Sequence, residues 1–115
     1  YLFLSDRRVD LIIVGGTNIY PAEIENILAE HDCVAGVAVF GIRDDYYGEV
    51  VAAAVRLRHA VSARELAAAC GERIAKFKVP AVFFRVEEFP LTASGKVRKV
   101  ELRERASRAA LEVLA

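Results

Sequence analysis

The chain has 115 residues, 55% hydrophobic and 28% charged, with a formal net charge of zero. That is one domain's worth of chain with enough apolar material for a core, and its composition excludes a disordered segment. No apolar run approaches the roughly eighteen residues of a membrane span and the first residues lack a signal peptide's pattern, so a cytoplasmic protein, or one peripheral to a membrane, is expected. Cys33 and Cys70 stand alone, as do His31 and His59. Reduced, packed cysteines are expected, and no metal site.

The zero hides an asymmetry. Residues 1–50 carry nine acidic and three basic side chains, and residues 51–115 carry seven and thirteen, so the halves stand at −6 and +6. A basic second half suits a partner with a few phosphates, such as a nucleotide. Long nucleic acid fits less well, because no basic run is interleaved with aromatics.

Tyr1–Leu4 reads as a strand, Ser5–Arg8 as a turn and Val9–Val14 as a second strand, an opening β-hairpin. A hairpin alone is marginal in water, so it must lean on the rest of the domain or on a segment upstream. Gly15-Gly16-Thr17-Asn18 breaks the strand, and adjacent glycines allow either a simple turn or close approach by a ligand. Pro21 then opens a helix from its favoured first position, with Ile24, Ile27, Leu28 and His31 on one face. Glu23 and Glu25 in that helix lie two residues apart and point to different faces, which favours structural roles over a paired carboxylate site.

Val34–Phe40 and Val50–Leu57 are expected to be antiparallel strands joined by a polar loop, Gly41–Glu49. Asp44, Asp45 and Glu49 lack the further ligands of a calcium loop, so that loop reads as solvated. Ser62 and Glu65 form a capping box that starts a second helix. Leu66, Cys70, Ile74 and Phe77 would line one face of it, and Pro80 would end it with Lys76 and Lys78 in its last turn. Ala81–Val86 is a short strand, and a final helix from about Val100 would carry Leu102, Ala106, Ala110 and Leu114 on one stripe. The expected fold class is α+β, a small, mostly antiparallel sheet covered by helices and preceded by a two-stranded β-hairpin.

Between that last strand and helix lies Pro90-Leu91-Thr92-Ala93-Ser94-Gly95-Lys96-Val97-Arg98-Lys99. Its small and turn-forming residues predict an exposed loop, with Lys96 a compact charge on a flexible stem. A phosphate-cradling P-loop is excluded, because Pro90 stands where its first glycine belongs and Val97 where a Ser or Thr must follow the lysine. On composition alone, this is a basic loop leading into a solvated helix.

Four stretches in order resemble one family, the small C-terminal domain of adenylate-forming enzymes: acyl-CoA synthetases, nonribosomal peptide synthetase adenylation domains and firefly-type luciferases. They are Asp6-Arg7-Arg8-Val9-Asp10 running through Gly15-Gly16-Thr17-Asn18-Ile19-Tyr20-Pro21-Ala22-Glu23-Ile24-Glu25, then Gly41-x-x-Asp44-x-x-x-Gly48-Glu49, Phe77-Lys78-Val79-Pro80, and Pro90-Leu91-Thr92-x-x-Gly95-Lys96. The resemblance implies a lid, hinged near 7–10, that works against a large N-terminal adenylation domain of the same polypeptide. ATP, Mg2+ and CoA would be (co)substrates of the complete enzyme, none held tightly by this domain alone. A carboxylic acid, expected to be fatty or aromatic, would become an acyl-adenylate and then a thioester. By the same resemblance Lys96 is the adenylation lysine, Arg7 approaches the adenylate ribose, and Gly15 and Gly16 line the pantetheine tunnel. Lys76, Lys78 and the later arginines are candidate contacts for CoA phosphates. Arg8, Val9 and Asp10 form the hinge, where Val9 stands in place of the family's usual Asp or Lys. The Gly-Gly-Thr-Asn-Ile-Tyr-Pro stretch reads as the CoA-synthetase branch. A carrier-protein-loading domain and a free-standing binding module are the alternatives.

Overall fold

The computed structural model describes residues 11–108 and 111–114. The expected strand Tyr1–Leu4, the turn Ser5–Arg8 with Arg7 and the hinge residues Arg8, Val9 and Asp10, as well as Ala110 and the Phe77 side chain, lie outside the described set. The elements are β1 Ile12–Val14, β2 Thr17–Ile19, α1 Pro21–Ala29, β3 Val34–Asp44, β4 Gly48–Leu57, α2 Ala63–Gly71, a 3-10 turn Lys76–Lys78, β5 Val82–Arg85, α3 Lys99–Ser107 and β6 Glu112–Val113.

The unbroken apolar run Val50–Val55 sits inside β4, within a sheet ordered β3-β4-β5-β6. Strand side chains alternate between faces, so a run without polar interruption must be covered on both. Val51, Ala53 and Val55 join Ile12, Ile19, Ile24, Leu28, Leu66 and Cys70 in one core, beneath the β1–β2 hairpin, α1 and α2. Ala52 and Ala54 face the other way and meet Phe40, Phe84 and Leu102 under α3. Phe40 and Phe84 stack there with ring centres 6.3 Å apart. β5 runs parallel to β4, whereas β3 and β6 run antiparallel to their neighbours. The parallel pairing needs a crossover, and α2 supplies it. The result is the expected α+β class with a mixed sheet.

Four boundaries differ from expectation. Thr17 and Asn18, read with Gly15-Gly16 as a break, belong to strand Thr17–Ile19, which pairs with Ile12–Val14. The Gly41–Glu49 stretch is mostly strand, because Asp44 Oδ2 accepts from the Tyr46 and Tyr47 N–H groups at 3.0 and 2.8 Å and closes the connection in three residues. α2 starts as read, with Ser62 Oγ accepting from the Glu65 N–H at 3.1 Å, but it ends at Gly71. Glycine is a poor helix residue, and Leu66 and Cys70 already complete the buried stripe, so nothing favours extending the helix to Lys78. The last helix ends at Ser107, and the chain returns as β6, pairing Val113 with Phe84 and Glu112 with Arg85. The unpaired edge of β5 outweighs the helical periodicity of the tail.

Leu102 is the one fully buried residue described on α3. Leu102→Ala is expected to cost about 3 kcal/mol, read by urea unfolding. Cys70 is buried, and loss of hydration pushes its thiol from 9.0 up to about 11. The neutral thiol therefore favours the fold fully below the ordinary value, and that contribution is lost as pH rises through about 11. At pH 8 an alkylating reagent should modify half-buried Cys33 at least about tenfold faster than Cys70, as mass spectrometry would register.

Candidate functional site

The lysine loop is a hairpin. Leu91 and Val97 bridge in antiparallel fashion, and the Arg98 N–H donates to the Pro90 carbonyl at 2.7 Å. Above them the Thr92 N–H donates to the Lys96 carbonyl at 2.8 Å, and the Gly95 N–H to the Thr92 carbonyl at 2.9 Å. Ala93-Ser94-Gly95 is thus a three-residue loop whose last member is left-handed, with φ +88° at Gly95. The Thr92 hydroxyl accepts from the Lys96 N–H at 3.2 Å and shares a 3.0 Å hydrogen bond with Ser94. Each small residue in Thr-x-Ser-Gly therefore helps place the backbone of Lys96. The lysine is exposed, and among the described residues its ammonium has no ion-pair partner. It is a cation displayed by a built turn.

Gly15 and Gly16 form the two-residue turn between β1 and β2, with φ +57° and +87°. Positive φ at both positions is the turn that matches strand twist, and adjacent glycines adopt it without steric cost. The tip is tied down by the Gly15 N–H, which donates to the Tyr47 carbonyl at 3.1 Å. Further back, the Ile13 N–H donates to Glu49 Oε1 at 3.0 Å. Gly41 makes room for that carboxylate, since a Cβ there would lie 2.8 Å from Glu49 Oε2. The Gly41…Asp44…Gly48-Glu49 pattern thus holds the double-glycine turn against the sheet. Tyr46 and Tyr47 meet edge to face with centroids 4.7 Å apart beside this turn. Both are exposed, as is Ile13. Sequence reasoning passed over these apolar side chains; two adjacent tyrosines in a polar loop were the available signal.

The remaining basic candidates divide. Lys76 is exposed, whereas Lys78 pairs with Glu23 of α1 at 3.1 Å and ties the 3-10 turn to that helix. Arg98, Arg105 and Arg108 pair with Glu101 or Glu104 one helical turn away, so each already has a carboxylate partner on α3. Lys99 pairs with Glu25 at 2.9 Å. Arg7, Arg8, Val9 and Asp10 are outside the described residues.

The two built turns are rooted on opposite faces of one sheet. Ile12 and Ile19, flanking Gly15-Gly16, belong to the core under α1 and α2. Phe89 and Val97, flanking the lysine turn, pack into the core under α3. The structure does not gather the candidates into one pocket; it displays them from two sides.

The family model of the AMP-binding enzyme C-terminal domain matches residues 23–96. The chain is 48% identical over 104 residues to a 2-succinylbenzoate–CoA ligase of Bacillus velezensis, covering 90% of this chain and 21% of that protein. A solved double mutant of o-succinylbenzoate CoA synthetase from Bacillus subtilis, bound with its product analogue, superposes with a TM-score of 0.84 at 43% identity, covering 96% of this chain and 22% of that one. A Mycobacterium tuberculosis fatty acyl CoA synthetase gives a TM-score of 0.83 at 40% identity, with 87% and 20% covered. The chain spans about one-fifth of the length of these relatives.

Gly95→Ala tests the lysine turn. A Cβ there has open space, so the left-handed backbone is the whole cost, about 1 to 2 kcal/mol. Hydrogen exchange at the Thr92 amide should quicken by about tenfold, while core amides in β4 hold their protection.

Proposed function

Since this chain belongs to the AMP-binding enzyme C-terminal domains, we propose that it is the mobile lid of an acid–CoA ligase, working against a large N-terminal domain of the same polypeptide. The observation that carries this reading is the placement of two built turns on opposite faces of one sheet. A single rigid pose presents one face to a partner. Two turns serving one active site must therefore arrive in succession, with a rotation between them.

In the first pose Lys96 enters. A carboxylate oxygen of the acid attacks the α-phosphorus of ATP, the bond to the β-phosphate's bridging oxygen breaks, and pyrophosphate leaves with the electron pair. Charge accumulates on the α-phosphoryl oxygens, and an ammonium delivered there stabilises it in a site closed to water. Arg7 would approach the adenylate ribose. The chain would then pivot at Arg8, Val9 and Asp10 and bring the Gly15-Gly16 turn forward. The absence of side chains there lets pantetheine pass close to the backbone. The CoA thiol gives its proton to solvent, its sulfur attacks the acyl carbonyl, and AMP leaves with the electrons of the broken C–O bond. Exposed Lys76 is the better candidate for a CoA phosphate, because Lys78 is engaged with Glu23.

For the acid, an aryl dicarboxylate of the 2-succinylbenzoate kind comes ahead of a fatty acid. Curated relatives of that name are 45–48% identical in sequence, and in structural superposition the o-succinylbenzoate CoA synthetase is 43% identical against 40% for the fatty acyl CoA synthetase.

The reading is tested in the full-length ligase by separating its half-reactions. Lys96→Ala should lower acyl-adenylate formation by about 10²- to 10³-fold, while thioester formation from supplied acyl-adenylate stays within about threefold. Gly16→Val should show the reverse bias. Equal losses in both half-reactions for either variant would remove the assigned role.

A further inference from the structure

Glu25 occupies an unusual junction. Among the described residues β3 is the outer strand of the sheet, and Val39, opposite Ala53 in the ladder, turns its N–H away from β4. Glu25 reaches from α1 on one face, and its Oε2 accepts that N–H at 2.9 Å. The same oxygen lies 2.9 Å from the Nζ of Lys99, the first residue of α3, which packs on the opposite face. One carboxylate at the sheet edge thus joins both helical layers and the strand between them.

Helix electrostatics alone would not put a lysine at that position. The positive end of the helix dipole disfavours cations in a first turn, and Arg98 directly before it adds a second like charge. The Lys99 side chain is 15% exposed and that of Glu25 25%, so water and salt screen the pair much less than a surface bridge. Lys99 also follows directly on the Arg98 N–H that closes the base of the lysine hairpin onto Pro90. The ion pair therefore anchors the C-terminal arm of the hairpin three residues from Lys96.

We propose that the Glu25–Lys99 pair is a positioning device for Lys96. Neither residue touches substrate. Together they hold the foot of the turn against the sheet edge, so that the ammonium arrives at one place each time the lid closes. An electrostatic catalyst loses most of its effect when its charge must search for position, and misplacement by about 1 Å can cost up to about 100-fold. The inference rests on the reading of Lys96 as the adenylation lysine.

The test uses the full-length ligase and both half-reactions. Glu25→Gln keeps an oxygen for the Val39 N–H and removes the charge. Its expected signature is an adenylation kcat lower by about tenfold, with the KM for ATP and thioester formation from supplied acyl-adenylate each within about twofold. Lys99→Ala should match it while leaving the Glu25–Val39 bond in place, and it carries the test if Glu25→Gln fails to fold. Lys99→Arg, which restores the charge, should recover adenylation to within about threefold of the parent. Equal losses in the two half-reactions, or no loss in either, would overturn the proposal and reduce the pair to a structural bridge. Lys96→Ala runs alongside as the control. If it impairs adenylation while Glu25→Gln does not, only the positioning role falls; if it spares adenylation, the assignment of Lys96 falls as well.

Discussion

Burial of β4 on both faces is the constraint on which the rest of this domain depends. Val51, Ala53 and Val55 need cover on one side, and Ala52 and Ala54 on the other. A single helical layer cannot do both, so α1, α2 and the β1–β2 hairpin take one face and α3 takes the other. Alanine at alternate positions keeps the second face shallow. The large side chains there, Phe40, Phe84 and Leu102, come from three different elements and meet over it. Burying such a surface contributes roughly 25 cal/mol per Å² of apolar area, enough to override weak local preferences. The tail after Ser107 illustrates this: it pairs with β5 in place of extending its helix.

The same two-faced packing sets the geometry of function. The residues flanking the Gly15-Gly16 turn pack in one core, and those flanking the lysine turn pack in the other. The Gly15-Gly16 turn is tied to Tyr47 at one end of the β3–β4 pair, and Phe89, at the root of the lysine turn, packs beside Gly36 at the other end. Within each turn the precision comes from side chains bonded to backbone. Asp44, Glu49, Thr92 and Glu25 each accept from at least one main-chain N–H of another residue. These bonds contribute about 1 kcal/mol each, little for overall stability but enough to select one loop geometry among several.

The charge asymmetry of the sequence takes on a different meaning in three dimensions. The acidic first half and basic second half suggested a phosphate-bearing partner. In the folded chain, carboxylates of α1 meet cations of the later half: Glu23 with Lys78, Glu25 with Lys99 and Glu30 with Arg73. Much of the asymmetry is thus complementarity between parts of one domain. Lys96 and Lys76 are exposed and take no part in these pairs among the described residues.

By itself the sequence determined the fold class, the two apolar strands, the starts of α1 and α2 at Pro21 and Ser62, and the exposed lysine turn. Each of these follows from local chemistry: a fixed proline φ, a capping hydroxyl, unbroken β-branched and alanine runs, and a glycine preceded by small hydrogen-bonding residues. It also carried the motif order that pointed to the family, because the turns that matter here are short and their geometry is written in adjacent residues. Tertiary structure decided what adjacency cannot encode. The early end of α2 at Gly71, the return of the tail as β6, the notch at Gly41 for Glu49 and the meeting of Glu25, Val39 and Lys99 all depend on residues distant in the chain. Their energies arise only when a strand edge, a carboxylate and a helix end are brought together, and one-dimensional periodicity holds no record of that encounter.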